Sequence, residues 1–358
     1  MARGKKVIGL DIGSSSVKVT QLKITGKGYE LVNFAMAPLP PESIVDGALM
    51  NSTGIADVVR HILHEEKIKA KEAVIGISGH SVIIKKISLP EMTEEELAES
   101  IKWEAEQHIP FDIDDVYIDI ESVGQSAVQG QMDVILVAAK KEMINDYTSL
   151  VLEAGLEPVV VDVDAFAVLN QFELNYELPK EETIVLITMG ASVININVVQ
   201  NGISAFTRDI SMGGNQFTEE IQRQLGVSYE EAEALKIGGA YGTGDEDTVV
   251  PQEVERVIAS VADTVSGEIQ RSLDFFMATN ADAQLSKIYL AGGTSKIPSL
   301  YRGLEKRMGV PVELMNPFRN IVIDPKQFDP DYLQEIAPMA AVSVGLAIRR
   351  PFDRKKKK

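Results

Sequence analysis

Apolar and polar positions alternate with period two from the start of the chain. Ile8, Leu10 and Ile12 share one face, Gly9, Asp11 and Gly13 the other, and Val17 and Val19 resume the alternation around Lys18. The pattern predicts two short strands joined by a turn of Gly13, Ser14, Ser15 and Ser16. Tyr29 to Phe34 predicts a third strand, and Pro38, Pro40 and Pro41 a loop. Ile55, Val58, Val59, Ile62 and Leu63 switch to helical spacing, and Ala73 to Ser78 returns to a buried strand. Strands, helix and strand in that order predict the first lobe of an α/β domain.

The character changes near Lys85. Thr93 with Glu96 three positions on is a capping box that opens an acidic helix through Ile101, Trp103 and Ala105 to His108, where Ile109-Pro110-Phe111 stops it. Val116 to Val123 and Met132 to Ala139 predict strands around the polar turn Gly124 to Gln131, and a second helix runs from near Lys141 to Gly155. Residues 85–156 therefore read as a small α+β insertion in the first lobe. Val159 to Ala167 is again strand, then helix. Asp162 or Asp164 caps that helix, or one of them faces a cleft and orders a metal-bound water.

Then the opening pattern recurs. Ile184 to Val198 is strand, Gly-containing turn and strand, with Gly190 falling on Gly13, Thr188 on Asp11 and Asn195 on Lys18. Recurrence at this distance is a duplicated lobe rather than a solenoid period. Taken alone, either turn reads equally as an ordinary hairpin facing solvent. Two such turns facing each other would clamp a polyphosphate. Backbone N–H groups of a Gly/Ser turn make a nest for phosphate oxygens. Asp11 could hold Mg²⁺ through water, and the Lys18 ammonium could neutralise phosphate charge.

Downstream, Met212 to Thr218 opens a helix through Leu225, and Gly213-Gly214 lets backbone approach a ligand. Helices at Tyr229–Lys236 and Pro251–Ala278 flank a flexible stretch, Gly238 to Asp247. Ile288 to Ser295 is a strand ending in the Gly292-Gly293 turn, Ile297 to Met308 is a helix, and Ala337 to Arg349 is a small-residue helix able to pack closely on another backbone.

Composition narrows the classes. The 358 residues exceed one ordinary core, and a net charge of −18 argues against non-specific nucleic-acid binding and broad contact with anionic membrane. There are no cysteines, which removes disulfides, thiolate metal sites and cysteine nucleophiles. Residues 1–6 lead into the first strand without a signal-peptide core, and no run approaches the ~18 apolar residues that span a bilayer. The Arg354-to-Lys358 run is a solvated tail or a weak tether to anionic lipid.

These motifs together resemble the nucleotide site of the actin–Hsp70–sugar kinase superfamily. Gly9 to Lys18 looks like its first phosphate motif, Ile184 to Val198 its second, and Leu290 to Pro298 its adenosine motif. Val161 to Phe166 and Ala337 to Arg349 look like its two connecting helices. Gly9 to Lys18, Glu104 to Phe111 and Glu268 to Phe276 are similar to the PilM family, actin-like (FtsA-type) proteins of type IV pilus assembly. The resemblance implies a ribonuclease H-like, two-lobe actin-like ATPase fold. The first lobe would be residues 1–84 and 157–180 with helix 337–350, carrying the 85–156 insertion. The second would be 181–222 and 281–336 with a helical subdomain at 223–280, followed by a basic tail at 351–358.

It further implies ATP with Mg²⁺. Gly13, Ser14, Ser15, Ser16 and Lys18 would bind phosphates with Gly190 and Ala191 opposite, and Asp11 would hold the metal. Gly213, Gly214, Gly292, Gly293, Thr294, Arg271 and Ser272 would line the nucleoside, Arg271 being equally readable as a surface helix charge. Asp11 and Asp162 are the catalytic candidates. Thr188 stands where the second phosphate motif carries an acidic residue, which implies binding with weak or absent hydrolysis. The implied setting is the cytoplasmic face of the inner membrane. The implied partners are the N-terminal peptide of PilN, other pilus inner-membrane and motor proteins, and a further copy of the chain. An FtsA-like cytoskeletal protein is the alternative, but it should end in an amphipathic helix where this sequence ends in lysines. A sugar kinase would need a carboxylate base, which Asp162 or Asp164 could supply, and a sugar-binding constellation that is not recognisable. A chaperone would need a separate peptide-binding domain.

Overall fold

The computed structural model describes residues 7–26, 28–126, 128–178, 182–241, 252–280 and 283–350. The opening strands are β1 (Val7–Ile12) and β2 (Ser16–Thr25), and β3 (Gly28–Pro38) extends the third strand beyond its apolar run. A short hairpin of β4 (Ile44–Val45) and β5 (Ala48–Leu49) precedes α1 (Ser52–Glu65), capped by the Asn51 side chain accepting from the Gly54 N–H. β6 (Glu72–Ile77) and β7 (Val82–Pro90) follow, then α2 (Glu94–Glu106), at whose start the Thr93–Glu96 capping box forms both of its hydrogen bonds. Next come β8 (Val116–Gln125), β9 (Gln131–Lys140), α3 (Lys141–Glu153), β10 (Glu157–Val163) and α4 (Asp164–Asn175).

The second half repeats the plan. β11 (Thr183–Met189), β12 (Ile194–Gln200) and β13 (Ile203–Ile210) lead to α5 (Gly214–Leu225), α6 (Tyr229–Tyr241) and α7 (Gln252–Thr279). β14 (Leu285–Ala291), α8 (Pro298–Met308), β15 (Val312–Leu314), β16 (Ile321–Val322), α9 (Pro330–Ile336) and α10 (Ala341–Ile348) complete it.

One sheet has the order β10-β6-β1-β2-β3-β16, the other β13-β12-β11-β14-β15. In each, three antiparallel neighbours built on hairpins continue into parallel strands on the far side of the first. The duplication seen in the turns is therefore a duplication of whole sheets. The β1–β2 register pairs Asp11 with Lys18, and the β11–β12 register pairs Thr188 with Asn195, so the sequence alignment of the two turns is also the spatial one.

Backbone meets backbone between the lobes. A Cβ on Gly345 of α10 would lie 1.8 Å from the Ala167 carbonyl oxygen of α4, and one on Gly9 of β1 would lie 2.2 Å from the Ser343 carbonyl oxygen. Small residues are what allow α10 to lie against both. Phe172, Leu186, Ala291, Val342 and Leu346 join these helices and strands in one buried cluster between the lobes.

A three-stranded sheet, β7-β9-β8, belongs to the insertion, with its own core of Ile87, Leu89, Leu97, Ala105, Val134 and Leu136. Two stretches pack outside the segments into which the sequence divides them. α3 buries Met143, Tyr147, Leu150 and Val151 in the first lobe's core, so the insertion's own core ends with β9. β16 pairs with β3, and Phe318, Ile321, Leu333 and Ile336 pack with Leu22, Leu31 and Phe34 of the first sheet. Gly238 and its three successors continue α6, where a flexible stretch is expected to begin. Residues 242–247 of that stretch, the leading residues 1–6 and the tail 351–358 lie outside the described residues.

Candidate functional site

The two sheets face each other across a cleft of about 500 Å³. Asp11, Gly13, Ser14, Ser15, Ser16 and Lys18 line one side of it, and Gly190, Ala191, Gly214, Gly292, Gly293 and Thr294 the other. The two turns are closed in the same way. The Gly13 N–H donates to the Ser16 carbonyl at 3.1 Å and the Gly190 N–H to the Val193 carbonyl at 2.9 Å. Both glycine amides thus serve to close their turns rather than to meet a ligand.

On the second lobe three glycine-containing segments are bound into one corner. The Gly214 N–H donates to the Gly190 carbonyl at 3.0 Å, the Asn215 N–H to the Ala191 carbonyl at 2.8 Å, and Thr294 Oγ1 to the Gly190 carbonyl at 2.8 Å. A Cβ on Gly213 would come within 2.5 Å of the Gly190 and Ala191 carbonyl oxygens. Gly292 has φ +86°, and a Cβ there would lie 2.2 Å from the Met189 carbonyl oxygen. Gly213 therefore serves the close packing of this corner, and Gly214 is the residue of the pair that lines the cleft.

Two carboxylates line the cleft wall with Lys18. Asp11 pairs with Lys18 at 3.3 Å. Asp164, the first residue of α4, is half-buried; loss of hydration, then repulsion from Asp11, push its pKa up to about 7 against a hydrogen bond from Ser78. A Cβ on Gly76 would lie 2.1 Å from Asp164 Oδ1, so the glycine of β6 makes room for the carboxylate. Among the described residues no group of three or more His, Cys, Asp or Glu is arranged to hold a metal ion. Mg²⁺ takes one or two carboxylates and completes its shell with water and phosphate, and Asp11 and Asp164 are the carboxylates beside Lys18 that could supply them.

The raised value of Asp164 has a stability consequence. Its folded-state pKa lies above that of an unfolded aspartate, so the folded chain binds the extra proton between about pH 4 and 7 and loses stability as pH rises through that window. Asp164→Asn is expected to melt higher than the parent at pH 8 in nucleotide-free, metal-free buffer. That advantage should shrink towards pH 4, as followed by calorimetry across the range.

Four expectations from the sequence are not met by the structure. Asp162 does not line the cleft: it is buried and meets the Arg349 guanidinium at 2.8 Å, an ion pair whose angle falls outside hydrogen-bond geometry. Asp164, two residues on, is the residue that reaches the cleft: Asp162 still belongs to β10, whereas Asp164 begins α4, where the chain has left the two-residue alternation of the strand. Neither aspartate caps α4, whose N-cap is Val163 with no side-chain hydrogen bond. Arg271 is exposed on α7 and paired with Glu268 one turn away. Ser272 is buried, its hydroxyl donating to the Glu268 carbonyl at 3.0 Å.

Glu233 and Lys236 were missed. Buried Lys236 donates to the Gly214 carbonyl at 3.3 Å, Thr218 Oγ1 at 3.0 Å and Glu233 Oε2 at 2.6 Å, and it lines the cleft. Burial lowers its pKa against the pull of Glu233. The i, i+3 spacing of Glu233 and Lys236 on an otherwise apolar helical face was the available signal.

The chain matches the family described as "Type IV pilus assembly protein PilM" over residues 9–351. It belongs to that family. A solved structure titled "PilM-PilN type IV pilus biogenesis complex" superposes with a TM-score of 0.84 at 29% identity, covering 96% of this chain and 98% of that one. The cell division protein FtsA of Bacillus subtilis is 21% identical over 344 residues, 84% of this chain and 76% of that protein. FtsA of Streptococcus pneumoniae is 25% identical over 88% of this chain and 77% of its own length. MreB5 of Spiroplasma citri bound to ADP shares the actin-like fold, with a TM-score of 0.55 at 12% identity, covering 98% of this chain and 97% of that one. The protein is thus a PilM-family pilus assembly protein with the duplicated α/β, actin-like ATPase fold that the resemblance implied. Among the described residues no helix is long and apolar enough to cross a membrane.

Proposed function

We propose that this protein is an ATP-binding scaffold of the type IV pilus inner-membrane complex, working at the cytoplasmic face and holding Mg²⁺-ATP between its lobes. The observation that carries this is the pair of identically closed turns facing one cleft, with Asp11 and Lys18 on one side and the glycine corner on the other. Phosphates would lie along Ser14 to Ser16 and Lys18, Asp11 and Asp164 would hold water-bound Mg²⁺, and the nucleoside would run past Gly214, Gly292 and Lys236. When bound, Mg²⁺ neutralises phosphate charge. Lys18 orients the phosphates, and Asp164, with a pKa near 7, can hold a proton from a water molecule.

Thr188, opposite Asp11 in the duplicated plan, adds no charge. ATP turnover is therefore expected far below the roughly 1–100 per second of kinases, and Thr188→Asp is expected to raise it. A kinase-like rate in purified protein, measured by phosphate release, would refute this reading of Thr188.

The partner implied by the family is the N-terminal segment of a PilN protein. The insertion offers β7 and β8 as the outer strands of its sheet, and a cavity of about 270 Å³ runs along Val82 to Lys85 between β7, the Ser78–His80 turn and β13. Ile84 turns its carbonyl away from β9, accepting from Thr207 Oγ1 at 3.5 Å. A PilN N-terminal peptide is expected to bind there at micromolar strength or better, about −8 kcal/mol. Ile84→Pro should weaken it at least about tenfold through loss of an edge N–H, with ATP affinity unchanged. Peptide affinity that ignores the proline would move the site elsewhere. Excising residues 90–150 is not a clean test, since it strips Met143, Tyr147 and Leu150 from the first lobe.

A further inference from the structure

A turn of the first lobe reaches across to the second. Between β6 and β7, the Gly79 N–H donates to Asp209 Oδ2 at 2.5 Å, and His80 Nε2 lies 2.5 Å from Ser211 Oγ. Asp209 is also held from its own lobe: Oδ1 accepts from the Asn195 amide at 2.7 Å. Gly79 has φ +93°, a conformation that other residues rarely adopt. Ser78, on the same turn, bonds to Asp164 in the cleft. Ser78, Gly79, His80 and Asn195 line both the large cleft and the smaller cavity beside β7.

Opening the cleft must pull these partners apart, because Gly79 and His80 move with the first sheet while Asp209 and Ser211 move with the second. The connecting helices cross closely at Gly345 and Ala167. Polar contacts that span the rim, Gly79–Asp209 partly shielded from water and His80–Ser211 exposed, are the kind that bias a two-state closure.

We propose that Asp209 and Ser211 form, with the Gly79–His80 turn, a clasp that holds the two lobes closed over the cleft. Ligand in the cleft reinforces it through the shared wall of Ser78 and Asn195. This second clause rests on the cleft being a nucleotide site; the first does not.

The absence of native cysteines makes the test direct. One cysteine introduced at Glu65 on α1 and one at Asp274 on α7, both exposed, accept spin labels on opposite lobes. In nucleotide-free protein, Asp209→Ala is expected to lengthen and broaden the inter-label distance distribution, and Ser211→Ala to do so to a smaller degree. Ser211→Ala removes only a hydroxyl, so it keeps the test decisive if the Asp209 variant does not fold. Distributions identical to the parent's in every folded variant would overturn the clasp. Adding Mg²⁺-ATP to Ser211→Ala should bring the distance back toward the parent value. If it does not, while calorimetry shows ATP bound, the reinforcement is refuted. If calorimetry shows no ATP bound, the nucleotide reading fails and the reinforcement with it, and the nucleotide-free distances still decide the clasp.

Discussion

Lys18→Ala is expected to lower the affinity for Mg²⁺-ATP at least about tenfold in a calorimetric titration. A hydrogen bond to a charged group contributes about 1.5–3 kcal/mol, which is roughly ten- to 150-fold in affinity. Lys18 is positioned to supply such a bond, because the β1–β2 register places it opposite Asp11 and the 3.3 Å ion pair aims both into the cleft. Truncation removes the ammonium and leaves the Asp11 carboxylate facing phosphate without compensation, so the loss should fall in the upper half of that range. Asn195→Ala, the equivalent change in the second lobe, removes no charge and should cost less. Equal ATP affinity in Lys18→Ala and the parent would remove the phosphates from this turn.

Gly345→Val is expected to destabilise the fold by about 3 kcal/mol or more, at the upper end for overpacked sites. The first added carbon would stand 1.8 Å from the Ala167 carbonyl oxygen, and further contacts involve the Ala167 backbone, which cannot rotate out of the way. Either α4 and α10 separate or the strand behind them shifts, and both routes open the buried cluster between the lobes. The melting temperature should fall by about 5 °C or more. Gly267→Ala is the matched control. It lies within α7 with nothing inside 4 Å of the new carbon, so it should stabilise by up to about 1 kcal/mol through helix propensity. A Gly345 variant melting with the parent would show that the helices do not cross as closely as this.

The duplicated plan is legible in the residues alone. The Asp11–Gly13–Lys18 spacing recurs as Thr188–Gly190–Asn195, and strand periodicity forces those side chains onto the same face of each hairpin. The capping box at Thr93 is equally legible, since donor and acceptor are three residues apart and need nothing from the rest of the chain. What the sequence left out are elements without a period of their own. β15 and β16 have three and two residues, too short to show alternation, and exist because a neighbouring sheet edge receives them. α3 looked like part of the insertion because it is adjacent in sequence, but its apolar face fits the first lobe.

The site divides in the same way. The turn residues were legible because their chemistry is local. Which of Asp162 and Asp164 enters the cleft was not, since strand alternation would put both on one face and the turn from β10 into α4 falls between them, with space left by Gly76 for Asp164 and Arg349 pairing with Asp162. Arg271 and Ser272 carry suitable groups, but helix phase turns one to solvent and the other into the core. Lys236 required the fold of the helical subdomain over Gly214. The clasp joins residues 130 apart, Gly79 and Asp209, and no local pattern announces it. Periodicity fixes which face a residue occupies. Only packing of one lobe against the other fixes what that face meets.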